Sequence, residues 1–128
     1  MRRSILIASV LAALGGAPAL AATELPYTQP AFEAAQKANE PILVWVHASW
    51  CPTCAQQAPI LSKLESEPDY KNLKVFKVDF DSQKDVVRRL GVQMQSTLIA
   101  YHGPAEQGRS TGQTDEATIR AVVGKTAG

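Results

Sequence analysis

The sequence predicts an α/β fold, a mixed β-sheet with helices packed on both faces. Three observations lead there. Apolar runs of strand length, Ile42–His47, Leu73–Phe80 and Thr97–Tyr101, alternate with segments of helical spacing. The first two runs are apolar almost throughout, the pattern of central strands covered on both sides. The third leads into a turn, a second extended segment and a last helix, which closes the sheet with a hairpin.

Each element has its own signal. Gln29–Asn39 is expected as a helix, capped near Thr28 or Gln29, with Pro30 tolerated in its first turn. Ile42–His47 is the first central strand. The next helix begins within the Cys51–Cys54 turn and runs to about Ser66, with Ile60, Leu61 and Leu64 on its apolar side. Pro59 falls inside it and should kink it, because it lacks an amide donor and crowds the preceding turn. Leu73–Phe80 is the second buried strand. Asp81 or Ser82 is placed as the cap of a short helix ending near Leu90-Gly91. Thr97–Tyr101 is the third strand, His102-Gly103-Pro104 a turn, and Gln107–Thr111 a short edge strand. Thr114 is expected to cap the last helix, Asp115–Lys125.

The N-terminal residues read differently. Arg2 and Arg3, the apolar stretch Ile5–Leu14 and the small residues Ala19-Leu20-Ala21 have the form of a secretory leader, with cleavage expected between Ala21 and Ala22. The apolar stretch falls short of the ~20 residues of a spanning helix, and Gly15-Gly16-Ala17-Pro18 interrupts it. The expectation is therefore a leader at 1–21 and one domain at 22–128, exported or periplasmic, with no stable membrane anchor. Losing Arg2 and Arg3 leaves 11 basic against 12 acidic residues, so the net charge moves from +1 to −1. No basic stripe remains to suggest nucleic acid.

Trp50-Cys51-Pro52-Thr53-Cys54 contains both cysteines of the chain. A disulfide across two intervening residues closes too small a loop to stabilise much, so a structural staple is a poor explanation. At a strand–helix junction the same spacing places the first sulfur beside the unpaired N–H groups of the helix start. Those donors and the helix dipole favour thiolate at Cys51. A thiolate with a second cysteine two residues on can attack a foreign disulfide and then be released by its neighbour. Cys-x-x-Cys also opens many zinc sites, but no second cysteine pair or histidine cluster completes one here.

With these residues in place, the chain resembles the thioredoxin-fold family, in its exported thioredoxin-like form. The resemblance spans nearly all of Pro26–Lys125. It is carried by Trp50-Cys51-Pro52-Thr53-Cys54, by Pro59 five residues after the second cysteine, by Leu90-Gly91-Val92, and by Gly103 and Gly112. It implies that Cys51 is an exposed nucleophile and Cys54 a resolving thiol shielded beneath it. Trp50 becomes an apolar wall for the docking polypeptide, with simple packing as the alternative. Pro52 stiffens the turn and removes one amide donor, and neutral Thr53 adds no cation. The Pro-Thr pair is similar to that of some cytochrome c maturation thioredoxins, which act as reductants.

Three positions depart from the family pattern. Trp45 stands where the family has a buried aspartate that helps proton transfer to the second cysteine. His47 replaces a family tryptophan; it is weighed as a proton relay toward Cys54 and, alternatively, as a packed residue bonded to backbone. Lys77, which faces the family's aspartate, is left without that partner and reads as a snorkelling surface residue. The largest departure is Gln95-Ser96-Thr97, where the family has a cis-proline that presents backbone edges to substrate. The expectation favours a retained cis bond before Ser96, with Gln95 and Ser96 contacting substrate and the Ser96 hydroxyl near the thiolate.

The expected function is a thiol–disulfide oxidoreductase without a cofactor, acting as a reductant on a disulfide-containing or dithiol protein and recycled by a redox partner. The alternative is a metal-binding or metal-delivery protein using Cys51 and Cys54 toward Cu(I) or an iron–sulfur centre.

Overall fold

The computed structural model describes residues 21–128, so the expected leader lies outside the described residues except for Ala21. Elements follow in the order β1 (Thr23–Pro26), α1 (Gln29–Lys37), β2 (Pro41–His47), α2 (Pro52–Glu65), β3 (Lys74–Asp79), α3 (Lys84–Arg89), β4 (Thr97–His102), β5 (Ala105–Thr111) and α4 (Glu116–Gly124). Short 3-10 turns stand at Pro68–Tyr70 and Lys125–Ala127. The sheet order is β1-β3-β2-β4-β5. β1, β3 and β2 run parallel, while β4 is antiparallel to β2 and β5 to β4. The mixed sheet expected from the alternation is the sheet observed.

Alternation along β2 builds two cores. Ile42, Val44 and Val46 face a layer with Phe32 of α1, Phe76 and Val78 of β3 and Val86 and Val87 of α3. Leu43 and Trp45 face the other layer, with Cys54, Leu61 and Leu64 of α2 and Ile119, Val122 and Val123 of α4. Phe32 and Phe76 meet edge to face, ring centroids 5.7 Å apart, a geometry their quadrupoles favour. Each such fully buried side chain contributes about 1.5–3 kcal/mol of transfer free energy. The dithiol and Trp45 thus belong to the face that α2 and α4 cover.

Several local expectations need adjusting. The first strand was not anticipated: Thr23–Pro26 has exposed Thr, Glu and Pro and no apolar run, and only its parallel pairing with β3 makes it a strand. Gln83, not Asp81 or Ser82, precedes α3 and makes no side-chain cap, since its amide accepts from Asp79 N and donates to Tyr27 O, 3.0 Å each. Asp115 caps α4 in place of Thr114, its carboxylate accepting from the Thr118 amide at 2.9 Å. Thr28 caps α1 as expected, accepting from Ala31 at 3.3 Å. Gly103, at φ +55, sits where a Cβ would run into Asn39, so the tight β4–β5 turn requires glycine.

Candidate active site

β2 ends at His47, and the chain turns through Ala48–Trp50 into α2, whose N-cap is Cys51. Pro52 occupies the first helical turn, where its missing donor costs nothing. The Cys51 sulfur accepts the Cys54 amide at 3.1 Å, so it caps the helix with a sulfur in place of the usual hydroxyl or carboxylate. Both cysteines are free thiols. Cys51 is 3% exposed and Cys54 4%. The expectation of an exposed Cys51 is therefore corrected: its sulfur folds inward over the first turn to reach the Cys54 N–H. Thr53 is half-buried and Pro52 exposed.

Burial pushes the Cys54 thiol up to about 11, and its hydrogen bond to Cys51 adds to the rise. Backbone hydrogen bonding by Ala48 and Ser96 works the other way. Cys54 is thus held as a neutral thiol at physiological pH, beside the sulfur it would later attack.

Trp50 is 57% exposed, which leaves no place for the packing alternative. Its indole N–H donates to Asp81 Oδ2 at 2.7 Å, fixing the ring beside Cys51. The sequence offers Asp81 only as a helix cap; its spacing of thirty-one residues from Trp50 hides this pairing. Met94, 55% exposed on the loop before β4, is the other large exposed apolar side chain among the described residues.

The Gln95-Ser96 segment differs from the expectation. No peptide bond among the described residues is cis, so the favoured cis bond before Ser96 is corrected to trans. Ser96 instead takes φ +63, in the left-handed region. Its amide donates to Val46 O at 2.7 Å, a bond no proline could make, and its carbonyl accepts from Gly112 N at 3.1 Å. The chain reaches β4 with a left-handed serine and a new anchor to β2. The Ser96 hydroxyl bonds the Gln95 carbonyl, so its hydrogen-bonding partner is backbone and not a sulfur.

Trp45 lies beneath this loop, 5% exposed, with its indole N–H donated to Gln57 Oε1 at 3.0 Å. No carboxylate stands at that position to take a proton from Cys54. Lys77 is not without partners: its ammonium sits 5.3 Å over the Trp45 ring and 3.3 Å from Glu24 Oε1. His47 stacks beside Trp45, ring centroids 5.1 Å apart, and lines a cavity of about 380 Å³ with Glu24, Lys77, Asp79 and Gln83. Desolvation and then Lys77 lower its pKa, against Asp79 and Glu24. Those charged neighbours all come from β1 and β3, and no thiol is among them.

Among the described residues, no group of three or more His, Cys, Asp or Glu gathers in a metal-binding arrangement. A metal held here would have the two sulfurs as its protein ligands.

A thioredoxin family model matches residues 24–125. Putative thioredoxin-5 of Dictyostelium discoideum is 33% identical over 88 residues, 68% of this chain and 83% of its own length. The bifunctional thioredoxin reductase/thioredoxin of Mycobacterium leprae is 32% identical over 81 residues, 63% of this chain and 18% of that protein. The crystal structure of Trxlp from Edwardsiella tarda superposes with a TM-score of 0.76 at 40% identity, covering 79% of this chain and 97% of that one. Together with the sheet order and the dithiol at the head of α2, these matches establish that the chain belongs to the thioredoxin family and is a thiol–disulfide oxidoreductase.

Proposed function

We propose that the chain is an exported reductant of protein disulfides in which Cys51 attacks and Cys54 resolves. One observation carries the assignment of roles: the Cys51 sulfur sits on the α2 N-terminus and receives the Cys54 N–H, while Cys54 is held protonated beneath it. Cys51 first gives its proton to solvent; its thiolate forms a bond to one sulfur of the partner disulfide, and the other partner sulfur leaves as a thiolate that takes up a proton from solvent. Cys54 then loses its proton and attacks Cys51, forming the Cys51–Cys54 disulfide and releasing the second partner thiol. The pair gives up two electrons and two protons, and the partner gains both.

The same groups support this direction of flow. Strong oxidants owe their power to a stabilised reduced form. Here the insert between the cysteines is neutral, and burial disfavours the Cys54 thiolate, so the reduced form gains little. A cycle of this kind needs a partner that returns electrons to the disulfide. The Mycobacterium leprae relative, named as a reductase and thioredoxin in one chain, supports a reductase in that role. Export rests on the leader-like residues 1–21. No helix of the described residues is long and apolar enough to cross a membrane.

Insulin reduction by the dithiol, with the potential of the pair measured against glutathione, tests this reading. The potential should lie nearer the roughly −270 mV of thioredoxin than the −120 mV of a strong oxidant. A value above about −150 mV would reverse the direction of electron flow. Recovery of the full-length precursor in the cytosolic fraction would remove export.

A further inference from the structure

Gln57 is the one polar side chain on the buried face of α2, and it is fully enclosed. It stands three residues after Cys54, one turn further along the same face. Its amide is paired on three sides. Oε1 accepts the Trp45 indole N–H at 3.0 Å, and Nε2 donates to Ser96 O at 3.1 Å and to Gln113 O at 2.9 Å. The orientation has no freedom: an indole offers only a donor and the two carbonyls only acceptors, so oxygen must face Trp45 and nitrogen the loops. One buried side chain therefore joins the helix bearing the dithiol to β2, to the loop before β4 and to the loop before α4.

We infer that Gln57 is a positioning residue that sets the distance between the dithiol and the Gln95–Ser96 loop, and that a protein substrate docks against both. The inference rests on the oxidoreductase reading. Disulfide exchange brings three sulfurs into line, and a displacement of about 1 Å at such a centre costs on the order of 10²-fold in rate. In the fold, the loop hangs from β2 by the Ser96 amide and from Gly112 by the Ser96 carbonyl. Gln57 ties that loop to α2 through its side-chain amide, one turn beyond the Ser96 backbone's contact with the Cys54 sulfur. Without it the loop keeps its strand anchors but loses its register to the helix that carries the sulfurs. A small reagent needs only the sulfur; a protein disulfide needs sulfur and loop together.

The test compares insulin with iodoacetamide as substrates of the reduced protein. Gln57→Leu removes the tie and should lower kcat/KM for insulin about tenfold, mainly through KM, while alkylation of Cys51 by iodoacetamide changes less than about twofold. Gln57→Glu gives a second, independent readout. A protonated acid can still accept from Trp45 and donate to one carbonyl, whereas a carboxylate faces two carbonyls with nothing to donate. Its insulin kcat/KM relative to wild type should therefore fall as pH rises from 5 to 8. Should the leucine variant fail to fold, this pH-dependent ratio decides alone. A leucine variant within twofold of wild type on insulin, a parallel loss with both reagents, or a glutamate ratio flat in pH overturns the inference. Wild-type protein unable to reduce insulin overturns the reading beneath it as well.

Discussion

Replacing Ser96 by proline should destabilise this protein, although proline is what its family carries there. Proline fixes φ near −65°, and Ser96 stands at +63°. The substitution also deletes the amide that meets Val46 O at 2.7 Å, in a place where Val46 is fully buried and Ser96 4% exposed. An orphaned buried carbonyl costs about 1–3 kcal/mol. Moving Ser96 out of its conformation also disturbs the bonds its carbonyl accepts from Gly112 and Gln57, at about 0.5–1.5 kcal/mol each. The total is about 2–6 kcal/mol. In a domain of this size each kcal/mol moves the melting point by about 4–8 °C, so Tm should fall by at least about 8 °C. Ser96→Gly is the control: it keeps the amide and accepts positive φ, and its relief of the left-handed penalty roughly offsets its added unfolded-state entropy. Its stability should stay within about 1 kcal/mol of wild type. Far-UV circular dichroism melts of the reduced proteins measure both. A proline variant that melts at or above wild type would refute the trans, left-handed loop and the reasoning built on it.

Other consequences are equally direct. Asp81→Ala should free the Trp50 ring, changing its fluorescence and lowering insulin kcat/KM by about threefold or more, with Tm nearly unchanged because the lost bond is exposed; unchanged kinetics would show that the ring needs no anchor. Glu65, half-buried against Glu24, has its carboxyl pushed from the usual value up to about 7, first by burial and then by Glu24. A raised folded pKa means the native state binds the extra proton, so this contribution is full below about 4.5 and lost as pH rises through about 7. Glu65→Gln should therefore stabilise more at pH 8 than at pH 5 in urea unfolding; a larger gain at pH 5 would contradict the sign. Cys54, held up to about 11, should resist iodoacetamide at pH 8 in the reduced protein and label faster as pH passes 10; labelling of Cys54 at the rate of an exposed free thiol at pH 8 would show that the burial is not felt.

The sequence made the strands and helices legible because their signal is local. Apolar runs at Ile42–His47 and Leu73–Phe80 and the cap at Thr28 all act within a few residues. β1 escaped because Thr23–Pro26 has no pattern of its own and exists through β3. The cysteine pair was legible for the same local reason, since its spacing and its place after a strand carry its chemistry. What surrounds it was not. Trp50 with Asp81, Trp45 with Gln57, and Gln57 with Ser96 are pairings twelve to thirty-nine residues apart. One trace was present: Cys54, Gln57, Leu61 and Leu64 fall on one helical face, and a glutamine among them calls for buried partners. The cis expectation at Ser96 came from a proline that is absent; with serine the chain had an amide to spend, and β2 offered the Val46 carbonyl.

The central claim is the division of labour between Cys51 and Cys54, and trapping measures it most directly. A Cys54→Ser variant mixed with a disulfide protein should accumulate a one-to-one mixed disulfide, seen as an intact mass equal to the sum of the two chains, with peptide mapping placing the bond at Cys51. Cys51→Ser should accumulate little, because Cys54 is held as a thiol and the thiolate is the attacking form. Equal trapping by both variants, or preferential trapping through Cys54, would contradict the account.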